Sequence, residues 1–201
     1  MKISEKYISG LKEKYLNCGA REEWQRFEKN IHGANEEDIS ELKKLYPAIP
    51  NALVELLGYV DGTYWRKYGN ETIALLIFGS DIEEYGYYLL SSKQMLENQN
   101  IVRNYKHYSS YINREYGEVK VDEKIVDKSD SVKWLHFSDC MNNGGTSQLF
   151  IDFTPSAKGK AGQIVRYVHD PDNLEVIADS FDEYLQMIMD CEYDFINEDD
   201  F

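Results

Sequence analysis

Residues 134–189 read WLHFSDCMNNGGTSQLFIDFTPSAKGKAGQIVRYVHDPDNLEVIADSFDEYLQMIM, and their pattern decides the fold. Short runs rich in β-branched and aromatic residues, at 132–137, 147–153, 163–169 and 174–178, have the length and composition of strands. The connections at 138–145, 154–162 and 170–173 are rich in Gly, Asn, Asp, Ser, Pro and Lys. Connections this short join antiparallel neighbours, because a parallel crossover needs a dozen residues or more. Ser180 then opens a helix, with Glu183 three positions on in the pattern of a capping box. Phe181, Tyr184, Leu185, Ile188 and Met189 fall on one face of that helix, which packs on the sheet.

Upstream, Ile3, Tyr7, Leu11 and Tyr15 recur every four residues and Trp24 and Phe27 lie three apart, so residues 3–30 form one or two helices that residues 17–19 can break. Asn35 is a good N-cap for acids at 36–38, which the helix dipole favours; Ile39, Leu42 and Leu45 make its buried stripe, and Pro47 stops it. Pro50 suits the first position of a second helix carrying Leu53, Val54, Leu57 and Val60, ended by Asp61-Gly62. Residues 72–78 read as one continuous buried strand and 87–90 as a short one. Ser91 with Gln94 opens a Tyr-rich helix that can run to about residue 116 on the surface, and 117–130 reads as a loop or short exposed hairpin. The expectation is a single α+β domain whose mostly antiparallel sheet has about five to six strands flanked by helices.

Composition narrows the function classes. With 42% hydrophobic and 29% charged residues the chain has globular composition. Twenty-two Lys and Arg against 36 Asp and Glu leave a net charge of −14, a field that repels nucleic acid and anionic membrane and favours a basic partner. Cys18, Cys140 and Cys191 are odd in number and widely spaced, so neither a disulfide framework nor a zinc ribbon is expected. The N-terminal stretch is charged where a signal peptide needs an apolar run. The longest apolar stretch, 73–78, is far short of the roughly 20 residues a membrane helix takes. Residence in the cytoplasm is the expectation.

No catalytic set stands out. His136, Asp139 and Cys140 are close in sequence but read more simply as a strand histidine followed by turn residues. His169, Asp170 and Asp172 could face a cation, yet a hairpin turn explains them. The Asn142-Asn143-Gly144-Gly145 run leads into a strand, not into a helix N-terminus, and GxxxxGK[ST], GxGxxG, GxSxG and HExxH are absent. No cofactor and no metal is expected. The sixteen tyrosines, without a basic groove, suit a core or a protein interface better than base stacking.

Four ordered pieces carry a family resemblance: Ile49-Pro50 leading a helix that ends Val60-Asp61-Gly62; Ser138-Asp139 followed by Asn143-Gly144-Gly145 and Leu149-Phe150-Ile151-Asp152; Pro155 and Gly159 followed by Gly162-Gln163-Ile164-Val165; and Ala178-Asp179-Ser180-Phe181 opening the last helix through Tyr184-Leu185. Together they resemble the SUKH superfamily, which groups fungal cell-wall assembly (glucan synthesis) regulators of the Smi/Knr type with many bacterial toxin-immunity proteins. Asp61 stands where the family usually has Asn, and the Tyr-rich insert at about 94–130 is long. The resemblance implies an α+β domain without enzymatic activity. It also implies an immunity protein that binds and neutralises a toxin, such as a nuclease, from a contact-dependent competition system, with a regulatory or scaffold protein as the alternative. The expected layout is a helical extension at 1–34, the SUKH-like domain at 35–190 and an acidic, frayed tail at 191–201. The expected partner is a basic toxin domain. Candidate contacts are Asp61, Tyr64 and Trp65 after the second core helix and Asp139, Asn142 and Asn143 in the strand connection.

Overall fold

The computed structural model describes residues 1–83, 85–140 and 147–197. In chain order it runs α1 (Ile3–Asn17), α2 (Arg21–Asn30), α3 (Glu36–Leu45), α4 (Asn51–Tyr59), β1 (Arg66–Tyr68), β2 (Glu71–Ile73), β3 (Leu76–Phe78), β4 (Tyr87–Leu89), α5 (Ser92–Glu97), α6 (Ile101–Asn104), α7 (Lys106–Ile112), β5 (Lys120–Val121), β6 (Trp134–Cys140), β7 (Ser147–Asp152), β8 (Gln163–Val168), β9 (Asn173–Ala178) and α8 (Phe181–Asp190). Seven strands form one sheet in the order β3-β4-β6-β7-β8-β9-β5, and β1 pairs with β2 in a separate hairpin. Every pairing is antiparallel except β5 on β9. The α+β class stands; the separate β1–β2 hairpin and the two-residue edge strand β5 go beyond the expected five to six strands. Among the described residues, no helix is long and apolar enough to cross a membrane.

Alternation along the central strands assigns two faces to the sheet. Leu135, Phe137, Leu149, Ile151 and Ile164 point into the main core with residues of α1, α2, α4 and α8. Trp134, Phe150, Val165, Tyr167 and Leu174 point the other way and meet Ile101, Val102, Tyr108, Ile112 and Ile125. The segment read as a surface helix is therefore three short helices, of which α6 and α7 form a second covering layer with a core of its own, whereas α5 places Met95 in the main core. Between α5 and α6 residues 98–100 turn, and Tyr105 is extended (φ −110°, ψ 106°) between α6 and α7, so one long helix cannot form.

Local signals position these elements as physical chemistry requires. Asn35 Oδ1 accepts from the Asp38 N–H (2.7 Å), Ser91 and Gln94 form a reciprocal capping box, and Ser180 Oγ accepts from the Glu183 N–H (3.1 Å). Pro50 sits at the N-cap of α4, one position earlier than expected. The run at 72–78 is split into β2 and β3, because Leu75 N–H turns to the Thr63 carbonyl (3.4 Å) and not along the sheet.

The buried tyrosines explain how the edge strand β3 is protected. Tyr7 and Tyr15 of α1 donate to the Ile77 and Leu76 carbonyls (2.7 and 2.9 Å), and Tyr184 of α8 donates to the Gly79 carbonyl (2.6 Å). Each hydroxyl satisfies a carbonyl that would otherwise invite another strand. The first two helices thus lie in the main core, through Tyr7, Leu11, Tyr15, Trp24 and Phe27. Past α8 the chain does not fray at once. Tyr193, Phe195 and Ile196 are buried in the same core, and Tyr193 Oη donates to the Tyr7 carbonyl (2.9 Å).

Candidate partner-binding site

The site begins with an irregularity in β6. The register passes from His136 opposite Phe150 to Ser138 opposite Leu149, so one extra residue bulges from the strand. Residues three apart on a regular strand face opposite ways; the bulge puts His136 and Asp139 on the same face. Asp139 lies opposite Gln148 of β7 and, on the other side, opposite Tyr88 of β4. The strand that sequence ended at 137 continues to Cys140 because of this bulge, so Ser138, Asp139 and Cys140 are strand residues and not loop residues.

A chain of hydrogen bonds converges on Asp139. Tyr108 Oη donates to Gln148 Oε1, and Gln148 Nε2 donates to Asp139 Oδ1 (2.7 Å). From the other side Asn98 Nδ2 donates to His136 Nδ1 (3.0 Å), which leaves the proton on Nε2, facing the Ser138 carbonyl (3.2 Å) and Asp139 Oδ1 (3.3 Å). Burial pushes the Asp139 pKa up, but the His136 imidazole and the Gln148 amide outweigh it and hold the carboxyl below its ordinary value. Asp139 is therefore ionised at neutral pH.

Asp139 and His136 floor a cleft of about 540 Å³ between the sheet and the insert, with walls that include Tyr105, His107, Tyr108, Tyr111 and Tyr167. The rings interlock: the His107 centroid is 4.2 Å from Tyr108, and Tyr108 is 5.0 Å from Tyr167. Burial pushes the His107 pKa down, so this ring is neutral at pH 7. At the far end Asp172 accepts from Tyr111, from Tyr167 Oη (3.0 Å) and from His169 Nδ1 (2.7 Å), and its hydrogen bond and charge raise the His169 pKa. The residues at 169–172 form the expected turn. Among the described residues, no group of three or more His, Cys, Asp or Glu is placed to hold a metal ion. Cys140 lies on the opposite face from Asp139, in the main core.

The candidates named from sequence separate into two groups. Tyr64 packs on Tyr88 (5.5 Å between centroids), directly beside Asp139 in the sheet; burial, and then the Asp139 charge, raise its hydroxyl pKa. Trp65, next in the chain, is 66% exposed in a left-handed conformation (φ 49°) that bulky residues rarely adopt. Asp61 is instead 2% exposed and engaged internally: it accepts from Ser92 N–H and Oγ (2.8 Å each) and from Arg66 Nη2 (2.7 Å). It ties the turn after α4 to the first residue of α5. Asn142 and Asn143 lie outside the described residues. Asn98, Tyr105, His107, Tyr108, Gln148 and Tyr167 were not singled out from sequence, although alternation along β7 and β8 places Gln148, Phe150, Val165 and Tyr167 on one face.

Two consequences can be measured. Asp61→Ala removes the acceptor from two groups of Ser92 and from Arg66, and it should cost about 2 kcal/mol in urea unfolding, discounted because Arg66 is partly exposed. The second concerns pH. A carboxyl whose folded pKa lies below its unfolded value adds stability above the unfolded pKa and loses it as pH falls through the folded one. The stability gap between the native chain and Asp139→Asn should thus be widest above the ordinary carboxylate range and close as pH falls below it. A gap independent of pH would show that Asp139 gains nothing from His136 and Gln148.

Among curated proteins, none matches the chain. A family model does match it over residues 33–187 of 201, from the residues before α3 to within α8, and so takes in the whole sheet, the insert and the cleft. The chain belongs to the SMI1 / KNR4 family (SUKH-1).

Proposed function

We propose that this chain is an immunity protein that binds a basic toxin domain and occludes it, using the open face around Asp139. Membership of the family supports an immunity or regulatory protein in general, working through protein–protein contact. The observation that carries the finer reading is the composition of that face. An ionised carboxylate, set in a cleft walled by tyrosines, lies beside partly exposed Tyr64 and exposed Trp65 and Tyr105, on a chain of net charge −14. Tyr and Trp supply large contact areas at low entropic cost and dominate interface energetics. The negative field speeds encounter with a basic surface and competes with nucleic acid for it. Asn142 and Asn143, which follow β6 in sequence, are proposed as further contacts.

Co-expression with a toxin domain, if one is encoded beside its gene, tests the reading. Growth should be restored and the two proteins should co-elute. A toxin that still kills in the presence of soluble chain, with no complex formed, would leave the regulatory reading in its place. Association should also slow several-fold between roughly 50 and 300 mM salt, as screening shortens the reach of the field. A salt-independent on-rate measured by stopped flow would remove the steering role.

A further inference from the structure

We infer that the cleft is a receptor for one arginine side chain presented by the protein partner. The inference rests on the binding reading above and assigns the chemistry of its central contact. Every donor in the polar chain points inward: Tyr108 to Gln148, Gln148 to Asp139, Asn98 to His136 and His136 to Asp139. The carboxylate is the terminal acceptor of both arms, and the bonds that reach it from described residues end on Oδ1. A carboxylate offers about four acceptor positions, so a further donor completes it.

The walls select the kind of donor. Among the described residues, neither lysine nor arginine lines the cleft, so Asp139 meets no guanidinium or ammonium there and, of basic groups, only the ring of His136 stands beside it. Tyr105, His107, Tyr108 and Tyr167 present ring faces and edges. A guanidinium is planar, weakly hydrated and able to stack on rings while donating to a carboxylate; an ammonium is compact and holds its water more strongly. Of the neighbouring histidines, His107 does not oppose a cation at neutral pH, because burial keeps it neutral. The Nε2 of His136 is turned to Asp139 Oδ1 and the Ser138 carbonyl, not into the open space of the cleft. The third, His169, is paired with Asp172, whose charge offsets its own. Tyr105 comes from the insert and is 55% exposed, so the insert builds one wall of the receptor.

The test uses the full chain, isotope-labelled, with Nα-acetyl-L-arginine amide as probe and the lysine and norleucine analogues beside it. The arginine probe should give saturable NMR shifts at His136, the Gln148 side-chain amide and Tyr108. It should bind roughly tenfold or more tightly than the norleucine analogue, because a desolvated charge pair is involved. Asp139→Asn, which keeps an acceptor oxygen for Gln148, should erase that difference. Tyr105→Ala, at a largely exposed position, should weaken the arginine probe without unfolding the chain. Equal binding of norleucine, or undiminished arginine binding in Asp139→Asn, overturns the receptor; equal binding of the lysine analogue overturns the choice of guanidinium. Arginine binding with no toxin neutralisation would remove the immunity reading and leave the cleft standing, and neutralisation without arginine binding would do the reverse.

Discussion

Phe195→Ala is expected to lower the melting temperature by about 6–20 °C, the equivalent of about 3–5 kcal/mol for a chain of this size. The residue sits in a tail whose acidic composition suggests a frayed end, yet its side chain is 0% exposed. It closes against Gly79, where an added Cβ would come within 2.6 Å of its ring, and Gly79 carries the carbonyl that Tyr184 binds. Tyr193 reaches back to the Tyr7 carbonyl, so the C-terminal turn, α1 and the end of β3 form one packed unit. Alanine would leave a ring-sized cavity among residues already engaged elsewhere, which limits collapse. Glu192→Ala, at an exposed neighbour, should leave the midpoint unchanged. A loss below about 1 kcal/mol in Phe195→Ala would mean that the tail contributes little to the core.

Trp65→Gly should weaken partner binding by about 30-fold or more, or at least 2 kcal/mol, while leaving the free chain as stable as before. The two halves of this expectation have separate causes. Trp65 is the most exposed aromatic side chain among the described residues, so its removal costs little burial. Its φ of 49° costs a bulky residue on the order of 1 kcal/mol or more, which glycine avoids, offset by glycine's greater freedom in the unfolded chain. Strain kept at an exposed indole fits a contact surface better than a packing role. The position is held by a short-range turn, Trp65 N–H to the Thr63 carbonyl (3.0 Å), and by the bonds of Thr63 and Tyr64 to Leu89, so the side chain is presented on a fixed backbone. Matching calorimetric affinities for the two forms would take Trp65 out of the interface; a large fall in melting temperature would give it a structural role.

Elements with strong local chemistry were legible in the sequence. Strands β7, β8 and β9, helix α8 and the caps at Asn35, Ser91 and Ser180 follow from alternation, short turns and capping residues. What local pattern cannot register is long-range pairing. The bulge after His136 depends on how β6 meets β7, and it alone lets His136 share a face with Asp139. Likewise the burial of Tyr193, Phe195 and Ile196 is set by contacts with residues more than a hundred positions away, while their neighbours in sequence are acidic. For the site, sequence named Tyr64 and Asp139, which the sheet brings together, and Asp61, which ties the fold internally. It passed over Gln148, His107 and Tyr105, because the insert looked polar and its second core forms only against the far face of the sheet.

The most direct test of the proposed interface is a hydrogen-exchange footprint of the full chain with and without a toxin domain that it neutralises in co-expression. Protection should rise at residues 64–65 and 105–111 and across the start of β7, with α1 and α2 unchanged. Protection confined to α1 through α4, with the aromatic face still exchanging as in the free chain, would place the partner elsewhere and contradict the role assigned to the Asp139 cleft.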